Sequence, residues 1–243
     1  MKLAIFVEGL TERLFVERLV SEMAGQKHIR IRIENVKGGK NARRLSLVSD
    51  TEVETQKGFV LIRNSSGDHN VASDVRDNYQ KLAHEGYKGI VGLRDLFPRP
   101  ESDLPILLGL DRRSLNFRLP TVPFKVSWII AVMEIEAWFL AEHSHFSSIS
   151  PQLTRQSILA SLGIDVVTED MEKRRHPSVD LDAIYNLAGT SYKKDLESIK
   201  KTVDMLDYLQ IYESMKHVRQ LYLLVQTIDS FVSKCLNSVQ QPV

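Results

Sequence analysis

Through about residue 140, short and nearly all-apolar runs alternate with stretches in which apolar residues recur every three to four positions. The run Leu3 to Val7 has no polar interruption and reads as a buried strand. Glu8-Gly9-Leu10 turns it, and Thr11 is placed to cap a helix with Leu14, Phe15, Leu19, Val20 and Met23 on its inner face. Further strands are expected at Ile29 to Val36, Phe59 to Arg63, Ile90 to Leu93 and Val126 to Val132, with a helix from about Val71 to Ala83 between two of them. This alternation predicts an α/β fold with a largely parallel sheet flanked by helices.

After Trp138, β-branched runs become scarce and helical spacing takes over, which predicts a mainly helical C-terminal region. The expected division is residues 1–140 and 141–243. Helices are expected at Leu153 to Leu162, Leu181 to Leu187 and Tyr192 to Leu206, with Gly163 and Gly189 as stops. One long amphipathic helix is expected from Ile211 to Cys235, its apolar face read as a core seam. Loops are expected at Gly38-Gly39-Lys40-Asn41, at Asn64-Ser65-Ser66-Gly67-Asp68 and at Phe97-Pro98-Arg99-Pro100-Glu101, where proline withholds the ladder donor.

Composition places the chain among ordinary globular proteins, with 43% hydrophobic and 26% charged residues. Its single cysteine, Cys235, excludes an intrachain disulfide framework and a cysteine-based zinc cluster, as expected of a reducing compartment. The apolar start stops at Glu8, too soon for a signal peptide, and no uninterrupted apolar stretch is long enough to span a bilayer. A cytoplasmic protein with no membrane partner is the expectation. A net charge of +1 argues against coating nucleic acid by bulk charge. Locally, however, Lys27, Arg30, Arg32, Lys37, Lys40, Arg43 and Arg44 face one acid, Glu34. Such a cluster can neutralise phosphates, or it can be a solvated strand edge protected by charge.

The chemistry begins with Glu8, a carboxylate directly after an apolar strand, at the sheet edge where open α/β folds place their ligands. Asp95 follows the apolar strand Ile90-Val91-Gly92-Leu93 in the same way. Two such acids on neighbouring parallel strands can hold Mg²⁺ (or Mn²⁺), which generates a hydroxide nucleophile and stabilises charge developing on a phosphoryl group. Glu12 either joins them or serves as a favourable anion in the first turn of a helix. Glu134 and Glu136 share a face if they lie on a strand, but point about 200° apart on a helix. Arg94 can hold a phosphate bidentately or form a surface ion pair. His143 and His145 have the spacing of a metal pair but no cysteine nearby, Asp68-His69 reads as loop, and Trp128 and Trp138 read as core.

The string Val7-Glu8-Gly9-Leu10-Thr11-Glu12, followed by Phe15, resembles the first motif of Toprim domains, especially the Glu-Gly-x-Thr-Glu variant of overcoming-lysogenization-defect nucleases. Asp95 is similar to the first acid of that family's Asp-x-Asp motif. Met133-Glu134-Ile135-Glu136-Ala137-Trp138-Phe139-Leu140-Ala141 resembles a Glu-x-Glu-Ala-Trp signature of Toprim-like proteins from bacterial restriction and phage-defence loci, the RloB-like group, to which His176-Pro177 and Tyr192-Lys193 are also similar. The departure is Phe97, which stands where the second acid of Asp-x-Asp would be. The resemblance implies a Toprim-like sheet and Glu8 and Asp95 as metal ligands with Glu12 beside them; at the departure, either Glu134 or Glu136 supplies the missing ligand or the site is weaker than in true nucleases.

The expected function is a Mg²⁺-dependent nuclease or phosphodiesterase in a bacterial defence system. In this reading Glu8 and Asp95 hold the metal, while Lys37, Lys40, Arg43, Arg44 and Arg94 position the nucleic acid. The resemblance also implies an ATPase encoded nearby as partner, and a homo-oligomer is compatible with the sequence. The alternative is a non-catalytic nucleic-acid-binding or regulatory subunit with a degenerate site. A nucleotide-binding module would need a phosphate loop, and Gly38-Gly39-Lys40 lacks its spacing.

Overall fold

A computed structural model describes residues 1–25, 28–38, 43–67, 70–110, 123–214 and 218–237. The chain forms two compact units, the first comprising Met1–Arg94, Leu104–Ile130 and Leu223–Val243, the second Asp95–Asp103 and Ala131–Tyr222. The strands are β1 (Lys2–Val7), β2 (Ile29–Lys37), β3 (Arg44–Asp50), β4 (Gly58–Asn64), β5 (Gly89–Asp95) and β6 (Ser127–Ala131). They make one sheet in the order β3-β2-β4-β1-β5-β6. β1 runs parallel to both β4 and β5, and β2 parallel to β4; β3 is antiparallel to β2. The fold is thus α/β with a mostly parallel six-stranded sheet and a helical C-terminal region, and among the described residues no strand follows Ala131.

Alternation along β1 divides the core of the first unit. Ala4 and Phe6 join Leu61, Ile90 and Trp128 against helix α2 (Asn70–His84), which contributes Val71, Val75, Tyr79 and Leu82. Leu3, Ile5 and Val7 are equally buried on the other face. Helix α1 (Leu10–Ala24) buries Phe15, Val16, Leu19 and Val20, and contacts β4 and β2. Its N-cap is Gly9 and not Thr11, which lies buried inside the first turn. Gly92 has a specific task in this core: a Cβ there would come within 2.3 Å of the Trp128 ring. Gly92→Ala should therefore lower the unfolding free energy by about 1–3 kcal/mol through overpacking, read as a lower urea midpoint at unchanged slope.

The later elements are α3 (Leu104–Leu107), α4 (Glu136–Ala141), α5 (Phe146–Ile149), α6 (Arg155–Leu162), α7 (Pro177–Asn186), α8 (Leu196–Met205), α9 (Tyr208–Ser214) and α10 (Arg219–Asn237). Two expectations fail here. The continuous helix from Ile211 to Cys235 is instead α9 and α10, with Val218 in a bend just before α10, although the apolar spacing of the two stays in phase. The helix expected from Tyr192 begins only at Leu196, because Asp195 adopts extended backbone and its carboxylate caps the Ser198 N–H, leaving Tyr192 to Lys194 outside the helix. Among the described residues no helix is long and apolar enough to cross a membrane.

The sequence reading also passed over β3. This edge strand leaves Leu45, Leu47 and Val48 exposed at 53, 55 and 46%, so it has no buried face to betray it. A bulge at Val48 shifts its register on β2 between Ile33 and Glu34. Beside it, Glu34 and Arg63 are in-register partners of β2 and β4 and form a buried pair, the guanidinium donating to Glu34 Oε2 from Nε (3.1 Å) and Nη2 (2.7 Å).

Candidate functional site

In the first unit, the candidate carboxylate is Glu8, half-buried and one residue beyond β1. The main chain there is fixed by the next loop: Ser65 N–H donates to the Val7 carbonyl and Gly67 N–H to the Glu8 carbonyl, both at 2.9 Å. β1 is flanked by parallel β4 and β5, with Val7 opposite Leu93. The chains leaving β1 and β5 therefore start from the same edge of the sheet. Glu12 has a structural task, since it is 5% exposed and its Oε2 accepts the Gly9 N–H at 2.9 Å at the start of α1.

Three arginines of the local basic cluster are already matched by acids. Arg30 holds Asp50 through two 2.7 Å bonds, Arg32 reaches Glu34 at 3.1 Å, and Arg43 pairs with Asp74. Lys37 and Arg44 are exposed opposite one another on β2 and β3. Arg94 is buried at 4% exposure. Lys40, Lys27 and the pair Asp68-His69 lie outside the described residues.

The second unit gathers more chemistry. After β6 the chain turns through Met133, whose φ of 63° is uncommon for a side chain of that size. Glu134 follows in the turn and Glu136 is the first residue of α4. Neither the strand nor the helix geometry expected for this pair applies, because they straddle an element boundary. Both carboxylates meet Lys194: its Nζ lies 2.9 Å from Glu134 Oε1 and 3.3 Å from Glu136 Oε2. Glu134 also accepts from the Ser178 N–H at 3.0 Å and hydroxyl at 3.2 Å, and Glu136 Oε1 accepts from the Tyr192 hydroxyl at 2.8 Å. Asp95 Oδ1 accepts the Ile135 N–H at 3.1 Å, fixing it to the same turn.

The electrostatics separate the two glutamates. Burial would raise the Glu134 carboxyl, but the bonds from Lys194 and Ser178 outweigh it and hold it below the ordinary range. Burial dominates at Glu136, 1% exposed, and pushes it up despite Lys194 and Tyr192. For Lys194, burial would lower the pKa, yet attraction to Glu136 and Glu134, with a further contribution from Asp95, raises it, so the ammonium stays charged at neutral pH. A raised carboxyl binds its proton more tightly in the folded state, so Glu136 costs stability as pH climbs through the window above the ordinary glutamate value. Glu136→Gln should accordingly gain about 1 kcal/mol, roughly 2–4 °C in thermal midpoint, at pH 7–8. That advantage should vanish by about pH 4, where the native carboxyl is protonated in both states; paired melting curves across pH check it.

The local sequence pattern marks Glu134 and Glu136 but carries no sign of the roles of Lys194, Ser178 and Tyr192. One signal was available: two glutamates in the apolar segment Ile129 to Leu140 demand a cation once buried. Trp138 is core, as its apolar run suggested, and its Nε1 donates to Glu172 at 3.2 Å. His145 is buried with Nδ1 3.3 Å from Glu142, in a 3₁₀ turn shared with His143. Among the described residues, no group of three or more histidine, cysteine, aspartate or glutamate side chains is arranged to hold a metal ion. Glu8 and Asp95, at strand ends, suit a hard cation by donor type. Glu134 and Glu136 are engaged by Lys194, and Glu12 by the Gly9 N–H. Compared with protein-family models, curated proteins and solved structures, the chain matches none.

Proposed function

We propose that the chain is a Mg²⁺-dependent nuclease or phosphodiesterase that acts on nucleic acid in the cytoplasm, in a bacterial defence system with an ATPase partner. The observation that carries this reading is topological: β1 and β5 are adjacent and parallel, Glu8 follows the end of β1 directly, and Asp95 is the last residue of β5. The motif resemblance around Glu8 supports the same assignment. When bound, Mg²⁺ would supply a nucleophilic hydroxide and neutralise phosphoryl charge. Glu8 and Asp95 would hold it, and Asp95 is kept in orientation by the Ile135 N–H.

One observation favours a second reading, a non-catalytic nucleic-acid-binding or regulatory subunit. The Lys194 ammonium already compensates Glu134 and Glu136, as a structural cation would. Calorimetric titration with Mn²⁺ separates the two. One-site binding that is lost in both Glu8→Gln and Asp95→Asn supports the nuclease. Absence of Mn²⁺ binding with retained nucleic-acid binding supports the subunit.

A further inference from the structure

Within the second unit, four consecutive residues, Lys173, Arg174, Arg175 and His176, line an open cleft of ≈ 600 Å³ together with Glu169, Asp170 and Asp180. The acids are not evenly shared. Arg174 takes Asp180 through Nε (2.6 Å) and Nη2 (3.3 Å), and Glu169 through Nη1 (3.1 Å). Lys173 is 80% exposed and only loosely tied to Asp170 at 3.4 Å, a contact of little energetic value at such exposure. Arg175 is exposed and makes no ion pair or hydrogen bond with any described residue.

The same surface carries an aromatic. Phe97 is 37% exposed although its main chain is held firmly, its N–H donating to the Met133 carbonyl at 2.8 Å. Its ring meets that of His176 edge-to-face, centroids 5.6 Å apart at 74°. Phe97 lies two residues past Asp95, and His176 lies two residues before Ser178, the donor to Glu134. An exposed ring pair beside an unmatched guanidinium and an exposed ammonium matches the needs of an unpaired strand, whose bases stack and whose phosphates want cations. A duplex hides its base faces and would leave Phe97 without a role.

We propose that Phe97 and His176, with Arg175 and Lys173, form a binding surface for single-stranded nucleic acid, Phe97 stacking on a base. This rests on the nucleic-acid reading above and names its substrate class; the phenylalanine in place of a second acid becomes a substrate contact. The experiment is fluorescence anisotropy in EDTA, with a labelled oligothymidylate and a duplex of equal length as probes. The expected result is preferential binding of the single strand, weakened roughly tenfold by Phe97→Ala and restored by Phe97→Trp. Arg175→Glu should weaken it as well and flatten its salt dependence, while Phe97→Ala leaves duplex affinity unchanged. Both side chains are exposed, so thermal midpoints should match wild type. Binding insensitive to both substitutions, equal or better binding of the duplex, or no binding by wild type would overturn the proposal. Because EDTA removes metal from the measurement, Glu8→Gln should bind the oligonucleotide normally, so failure of catalysis and failure of this surface give different results.

Discussion

Glu8→Gln and Asp95→Asn should each reduce Mg²⁺-dependent cleavage of plasmid DNA or structured RNA by about a thousandfold or more, with a thermal midpoint unchanged or raised. The asymmetry follows from the charge on these acids. In the proposed metal site the two carboxylates would repel one another without metal, and the near-isosteric amides would relieve that repulsion. In Asp95→Asn the bond from the Ile135 N–H can persist, because an amide oxygen accepts as the carboxylate does. A structural role predicts the opposite signs, since losing a carboxylate that satisfies buried donors destabilises. Cleavage that survives in both variants sinks the nuclease reading, and lowered midpoints in both favour the binding subunit.

The second large effect is expected at Lys194. Lys194→Met removes the cation shared by Glu134 and Glu136 and leaves two buried carboxylates without it. Removing one partner of a fully buried pair costs about 3–5 kcal/mol. Lys194 is 48% exposed, so solvent screens part of this, and a loss of about 2 kcal/mol, roughly 4–8 °C, is expected at neutral pH. Glu136→Gln in the same chain should recover part of the loss by removing one of the two charges. Mn²⁺ supplies a further discrimination. If the acids can take a cation in place of the ammonium, Mn²⁺ raises the midpoint of Lys194→Met by ligand linkage more than that of wild type. An equal response in both proteins restricts any metal to other residues.

The parallel core of the sheet was legible because β1, β4 and β5 are buried on both faces and therefore written as continuous apolar runs. Strand-end carboxylates such as Glu8 and Asp95 stand out against such runs for the same reason. β3 was not legible, since its apolar residues Leu45, Leu47 and Val48 face solvent and Leu47-Val48 breaks the alternation of a half-buried strand. Nor was Lys194, whose meaning depends on a turn far away in sequence that brings Glu134 and Glu136 together. Periodicity reports which side of an element is buried; it is silent about which charge will neutralise a buried acid. The basic cluster from Lys27 to Arg44 shows the converse: an obvious charge run in which Arg30, Arg32 and Arg43 are answered by Asp50, Glu34 and Asp74 once the strands have paired.

The bulge at Val48 bears on how this protein behaves when crowded. A sheet that ends in a strand with three outward apolar side chains offers a template on which another chain could lengthen the ladder. Regular addition requires hydrogen-bonding groups that recur at even spacing along the rim, and the extra residue between Leu47 and Ser49 breaks that rhythm halfway. The irregularity thus acts as a stop to fibre-like growth, and the rim can stay greasy without becoming a seed.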